Sequence, residues 1–304
     1  MISRNIFILS VIIVTFCFAG CARLDDNLFN ANVHKIDHYQ LNNYKGEVDF
    51  TLDANYSIPT NRVNLFTLQS KGADEASSTK IYAVYIGDTT RISSDTVIVY
   101  CHGNKDHMDF YWPRAQLLAN TSSKNRYGVL MIDYRGYGLS EGKSSESALI
   151  TDVDAGLQWL KSKGLSGERL IIYGFSMGSI PATKLAAEPR SLRPSKLVLE
   201  APIASSEALV QDASALALPG SFFTDLKINN ADLIKNVKQP FMWIHGTNDD
   251  FLNVKTQGEL VYKNYGGAAN DKEAHLITGA GHSNVPVYYT FQKYLQDVGA
   301  FIRK

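Results

Sequence analysis

The sequence predicts an α/β fold: a mostly parallel, twisted sheet with helices on both faces and a short helical cap. Three observations predict it. After Asp95, short apolar runs alternate with stretches of helical pattern. Those runs are apolar throughout rather than apolar at every second residue, as strands buried on both faces must be. One stretch, about 202–236, breaks the alternation and holds short helical pieces around Pro219-Gly220.

The first twenty residues stand apart. Met1 to Asn5 carries one positive charge, Ile6 to Phe18 is almost wholly apolar, and Ala19-Gly20-Cys21 follows. A basic start, a short apolar core and small residues at the end have the form of a secretory signal. Phe18-Ala19-Gly20-Cys21 resembles a bacterial lipobox, with phenylalanine where leucine is usual, and implies that Cys21 becomes the acylated first residue. Ordinary cleavage after Ala22 and an uncleaved anchor are the alternatives. The preferred expectation is an exported protein, lipid-anchored in the cell envelope; a soluble periplasmic or secreted form is the alternative. Residues 21–45 are polar and asparagine-rich and read as a tether. The body follows, over 46–304.

From Glu47 to Ile86 the pattern is β-like. Strands are expected at Arg62–Leu68 and Lys80–Ile86, as an antiparallel edge around the turn-forming residues Lys71 to Ser78. Further strands are expected at Thr96–Cys101, Tyr127–Ile132, Arg169–Tyr173, Lys196–Leu199, Phe241–Ile244 and Glu273–Ile277. Helices are expected near 109–120, 147–163, 177–188, 254–265 and 287–302.

Composition excludes several classes. Lysine plus arginine and aspartate plus glutamate are both 30, so the formal charge is zero and no nucleic-acid partner is expected. Hydrophobic residues make up 45%, too many for a disordered chain. No CxxC pair and no HExxH occurs, and the seven histidines are scattered, so neither metal nor cofactor is expected. Cys101 sits in a strand as a core thiol.

The stretch Gly174-Phe175-Ser176-Met177-Gly178 joins the expected strand 169–173 to the helix that follows. A tight strand-to-helix turn forces its middle residue into an unfavourable conformation. Small residues two positions either side keep strand and helix from colliding with it. A glycine-rich turn with an incidental serine would read the same, so the partners decide. Serine needs a base, and the base needs a group to orient it. Two later strands end in loops that carry them: His245-Gly246-Thr247-Asn248-Asp249-Asp250, then Gly279-Ala280-Gly281-His282-Ser283. The order serine, acid, histidine is the one expected of this turn.

Together with His102-Gly103-Asn104 and Asp133-Tyr134-Arg135-Gly136-Tyr137-Gly138-Leu139-Ser140-Glu141-Gly142, these motifs make residues 80–304 resemble the α/β-hydrolase superfamily. The resemblance is strongest to the compact-cap serine hydrolases, which include esterase-like, aminopeptidase-like and protein-depalmitoylase members. It implies Ser176 as nucleophile, His282 as base and Asp249 as acid, with Asp250 a solvated neighbour and Glu200 a structural hydrogen-bonder. The amides of Met177 and Asn104 would form the oxyanion hole, with His102 and Arg135 supporting the loops around it. His275 is expected to serve a core or surface role. The implied activity is hydrolysis of an acyl ester or thioester through an acyl-enzyme. A peptidase or acyltransferase on the same residues is the alternative, and a non-catalytic binding protein is the different-class one. The substrate is a small or acylated molecule. The cap's Leu209, Ala213, Leu216, Leu218, Phe222 and Phe223 would suit an acyl chain, although packing onto the sheet accounts for most of them.

Overall fold

The computed structural model describes residues 28–29, 35–214 and 224–304. Among these, eight strands form one sheet: β1 (Val63–Ser70), β2 (Thr79–Ile86), β3 (Val97–Cys101), β4 (Gly128–Asp133), β5 (Leu170–Phe175), β6 (Lys196–Glu200), β7 (Phe241–Gly246) and β8 (Lys272–Ile277). Their order is β1-β2-β4-β3-β5-β6-β7-β8. β1 pairs with β2, and β2 with β4, antiparallel; every later pairing is parallel. Each strand expected from the sequence is present, within two residues at either end.

The helices are α1 (Met108–Ala119), α2 (Glu146–Ser162), α3 (Ser179–Ala187), α4 (Ser206–Ser214), α5 (Asn230–Leu233), α6 (Gly258–Asn264), α7 (Val285–Tyr288) and α8 (Phe291–Arg303). Strand side chains alternate between the two faces, and the packing follows that period. Val97, Val99 and Cys101 of β3, with Leu170 and Ile172 of β5, face a core shared with α2 and α3. Ile98, Tyr100, Ile171 and Tyr173 face the opposite core, shared with α1 and α8. No helix among the described residues is long and apolar enough to cross a membrane.

Four expectations change. The helix expected over 254–265 starts only at Gly258, because Asn253 caps a turn, its Oδ1 accepting the amides of Lys255 and Thr256. The helix expected over 287–302 is two helices, divided at Thr290, whose φ is +63° and whose hydroxyl caps α8. Residues 47–62 are not β-like: they hold short 3-10 turns at Ala54–Tyr56 and Thr60–Arg62, and the strand begins at Val63. The polar stretch read as a tether to residue 45 reaches the body earlier. Tyr39 donates to Asp133 Oδ2 at 2.6 Å, and the amides of Gln40 and Leu41 donate to Asp109. Buried carboxylates thus bind this polar chain where no apolar pattern signals contact.

In the stretch read as a cap, α4, α5 and a 3-10 turn at Ile234–Asn236 are present, and Leu209 packs against the core. Leu216, Leu218, Phe222 and Phe223, the Ala213 side chain, the signal-like residues 1–20 and Cys21 lie outside the described residues.

Candidate active site

β5 ends at Phe175, and a 3-10 turn over Ser176–Gly178 leads directly into α3. Ser176 has φ +51°, a left-handed conformation that costs a non-glycine residue of order 1–3 kcal/mol. The flanking glycines are required by close approach. A Cβ on Gly178 would lie 2.0 Å from the Cys101 carbonyl oxygen, and one on Gly174 would lie 2.6 Å from that of Gly178. The turn therefore packs against the end of β3, and both carry the loops that frame the site.

The Ser176 hydroxyl donates to His282 Nε2 at 2.9 Å, and His282 Nδ1–H donates to Asp249 Oδ2 at 2.8 Å. Three loops at the carboxyl ends of β5, β7 and β8 supply these groups, as open α/β sheets place their sites. The Asp249 side chain is buried, and its Oδ1 accepts the amides of Phe251 at 3.0 Å and Leu252 at 2.8 Å. Burial alone would raise this carboxyl. Hydrogen bonds from His245 and His282 outweigh it and hold Asp249 well below the usual carboxylate range. Asp250 is exposed.

His245 is a partner that the sequence reading did not single out. Its Nδ1 accepts the Trp243 indole N–H at 3.2 Å, so the ring proton sits on Nε2. Nε2 then faces Asp249 Oδ2 at 3.1 Å and the Leu252 carbonyl at 3.0 Å. Its signal was its place four residues before the acid, at the end of an apolar strand. The His282 ring lies between Phe175, tilted at 5.3 Å, and Phe251, edge-on at 5.1 Å.

Asn104 lines the same cavity as Ser176 and is gripped by two tyrosines. Tyr111 donates to its carbonyl, and Tyr137 to its Oδ1 at 2.8 Å. In the sequence Tyr111 looks like ordinary core, and Tyr137 stands inside the Asp133–Gly142 motif with no role of its own assigned. Met177 follows Ser176, buried, with its sulfur 3.5 Å from the Tyr137 hydroxyl. His102 is buried behind the loop; its Nδ1–H donates to the Gly103 carbonyl at 2.8 Å, and its ring stacks on Tyr111. Arg135 lies further off. It joins the loop after β4 to Asp152 of α2, to Glu75 and to Ser70.

Arg114 of α1 is a second residue the sequence did not reveal. It is buried, and its Nε donates to Asp49 at 3.1 Å, Nη1 to Glu200 at 2.7 Å and Nη2 to the Ser283 carbonyl at 2.6 Å. Its guanidinium covers the Phe175 ring at 3.9 Å. Burial works against its charge, and Glu200 and Asp49 outweigh burial. Glu200 also accepts from Tyr173 at 2.5 Å and Tyr294 at 3.1 Å, the structural role expected of it. His275, on edge strand β8, bonds Tyr289 at 2.5 Å, away from these groups. Burial pushes the Cys101 thiol well above its ordinary value. No cluster of three metal-ligating side chains occurs among the described residues.

The cavity over Ser176 holds about 410 Å³. Phe110, Tyr111, Phe175 and Phe251 give it apolar walls, and Glu47, Val48 and Asp49 close one side.

The family described as "Serine aminopeptidase, S33" matches residues 92–237, a stretch that includes Ser176 and stops before Asp249 and His282. The mouse protein named alpha/beta hydrolase domain-containing protein 17C is 28% identical over 211 residues, which is 69% of this chain and 60% of that protein. A Caenorhabditis elegans relative, alpha/beta hydrolase domain-containing protein aho-3, is 32% identical over 57% of this chain and 48% of its own. The chain spans about three fifths of the length of the first of these curated relatives. The Pyrococcus furiosus esterase Pf2001 superposes with a TM-score of 0.63 at 20% identity, covering 84% of this chain and 96% of that one. The Rhodococcus esterase RhEst1 superposes with a TM-score of 0.57 at 18% identity, covering 79% and 98%. The chain has the α/β-hydrolase fold, and these likenesses support a place in that superfamily.

Proposed function

From the α/β-hydrolase fold as premise, we propose that this protein is a serine hydrolase that cleaves an acyl ester or thioester. The observation that carries the reading is the hydrogen-bonded row from Ser176 through His282 to buried Asp249. Ser176 Oγ attacks the acyl carbon while His282 Nε2 takes its proton. Asp249 holds the imidazole in the tautomer whose Nε2 is free to accept, and stabilises the charge that forms. The tetrahedral oxyanion collapses to an acyl-enzyme as His282 returns the proton to the leaving group. Water, deprotonated by the same nitrogen, then releases the acid.

The amides of Met177 and Asn104 are the proposed oxyanion donors. Each such donor contributes about 3–4 kcal/mol in the transition state. The grip of Tyr111 and Tyr137 on Asn104 supports its part, because a donor stabilises an oxyanion only when it is already in place. His102 and Arg135 hold the two neighbouring loops.

A second reading, a peptidase on the same residues, is favoured by the description of the matching family. Lipid anchoring through Cys21 and export to the envelope belong to the proposal too, on Phe18-Ala19-Gly20-Cys21 alone.

The test is covalent labelling by a fluorophosphonate, followed by turnover of p-nitrophenyl esters, thioesters and aminoacyl amides. The wild-type protein labels at Ser176, and Ser176→Ala neither labels nor turns over above a residue several orders of magnitude lower. A folded Ser176→Ala protein with near-normal turnover overturns the assignment. Preference for aminoacyl amides over esters selects the second reading.

A further inference from the structure

The chain before β1 crosses the mouth of the site as a strap. On one side it is anchored by Tyr39 and Leu41, as above, and by Asn42, whose Oδ1 accepts the Trp112 indole at 2.9 Å. On the other, Phe50 is buried, its ring 5.4 Å from that of Phe291. Between these anchors, Glu47, Val48 and Asp49 form a wall of the cavity over Ser176. Val48 also lines a groove of about 610 Å³ between the strap and α1. One half-buried valine therefore stands between the reacting serine and a second, larger space.

Its neighbour Asp49 is held in an ion pair with Arg114, whose other bonds reach the Ser283 carbonyl, one residue after His282. The same guanidinium lies over Phe175, one residue before Ser176. The strap is thus referenced to both catalytic loops through one buried side chain. It also lies before residues 92–237, the stretch shared with the matching family.

We propose that residues 44–50 are the substrate-selecting wall of this site, with Val48 as the selecting side chain and the Asp49–Arg114 pair as its tether. The inference rests on the proposed hydrolase function. The wall limits the bulk that a substrate carries beside the reacting carbon, and displacing it opens the cavity toward the groove.

The experiment compares labelling of Ser176 by a short-chain and a long-chain alkyl fluorophosphonate, read as the ratio of their second-order rates. Val48→Trp lowers the long-to-short ratio tenfold or more. Val48→Ala and Asp49→Asn, which leaves Arg114 paired with Glu200, raise it threefold or more. The changes appear in the reversible binding constant KI rather than in the inactivation rate. Asn43→Trp, on an exposed position that lines neither the cavity nor the groove, keeps the ratio within twofold. A ratio that stays within twofold in Val48→Ala and Asp49→Asn overturns the inference, even where Val48→Trp fails to fold. Wild-type protein that labels with neither probe overturns the hydrolase reading, and this inference with it.

Discussion

At the residue scale, two adjacent carboxylates have very different surroundings. Asp249 is buried and accepts four hydrogen bonds, from two histidines and two amides; Asp250 is exposed. Asp249→Asn is expected to cost about 10⁴-fold in kcat, because the amide favours the wrong imidazole tautomer. Asp250→Asn is expected to change little, and steady-state kinetics of the two variants would expose a reversed ranking. Asp249 also shapes the pH profile. Its carboxyl is held well below the ordinary range, so it stays ionised as the solution is acidified. The stability its bonds contribute is present above its unfolded-state value and lost only as pH falls through the depressed folded one. Asp249 thus adds no ionisation of its own to the acidic limb of kcat/KM. One ionisation should therefore govern the acidic limb, with log kcat/KM falling with a slope of about one. A slope near two would place a second titrating group in the mechanism.

At the element scale, the strand-to-helix turn after β5 is where backbone and chemistry meet. Gly178→Ala would drive a methyl into the Cys101 carbonyl, a fixed strand-end atom. The variant should lose at least about 1–3 kcal/mol of stability, with β3 and the turn moving apart and activity falling with it. A melting temperature equal to wild type would show that the turn is looser than its contacts imply. The strands were legible because burial on both faces leaves runs such as Val97-Ile98-Val99-Tyr100 with no polar residue to mislead. Helix ends were less so. Nothing in the composition of 287–302 announces that Thr290 takes a positive φ, because threonine is a poor residue for it and only tertiary packing holds it there. The 35–62 segment was misread for the same reason. Its order comes from distant partners, the carboxylates of Asp109 and Asp133, Trp112, Arg114 and the core that receives Phe50, and not from any period of its own.

At the scale of the whole molecule, the residues proposed to react were legible as candidates in the sequence, and most of their supports were not. Ser176, Asp249 and His282 sit in short motifs at strand ends, where the fold brings loops together. Tyr137 and Arg114 act through contacts with residues far away in the chain, which no spacing records, while His245 and Tyr111 reach partners within seven residues but have the look of ordinary strand and core positions. The N-terminus makes a claim of its own. Protein purified from its native host should begin at Cys21 and carry added acyl mass, measured on the intact chain; a soluble product starting at Arg23 would mean ordinary signal cleavage. Finally, the row of hydrogen bonds joins residues 106 positions apart, with the serine made first and the histidine only after β8. A chain still emerging from the ribosome has made the proposed nucleophile 106 residues before the proposed base exists. Tyr294, which closes the Glu200 network beneath Arg114, comes later still. On the proposed hydrolase reading, synthesis itself thus keeps the site silent until the loop after β8 has been made.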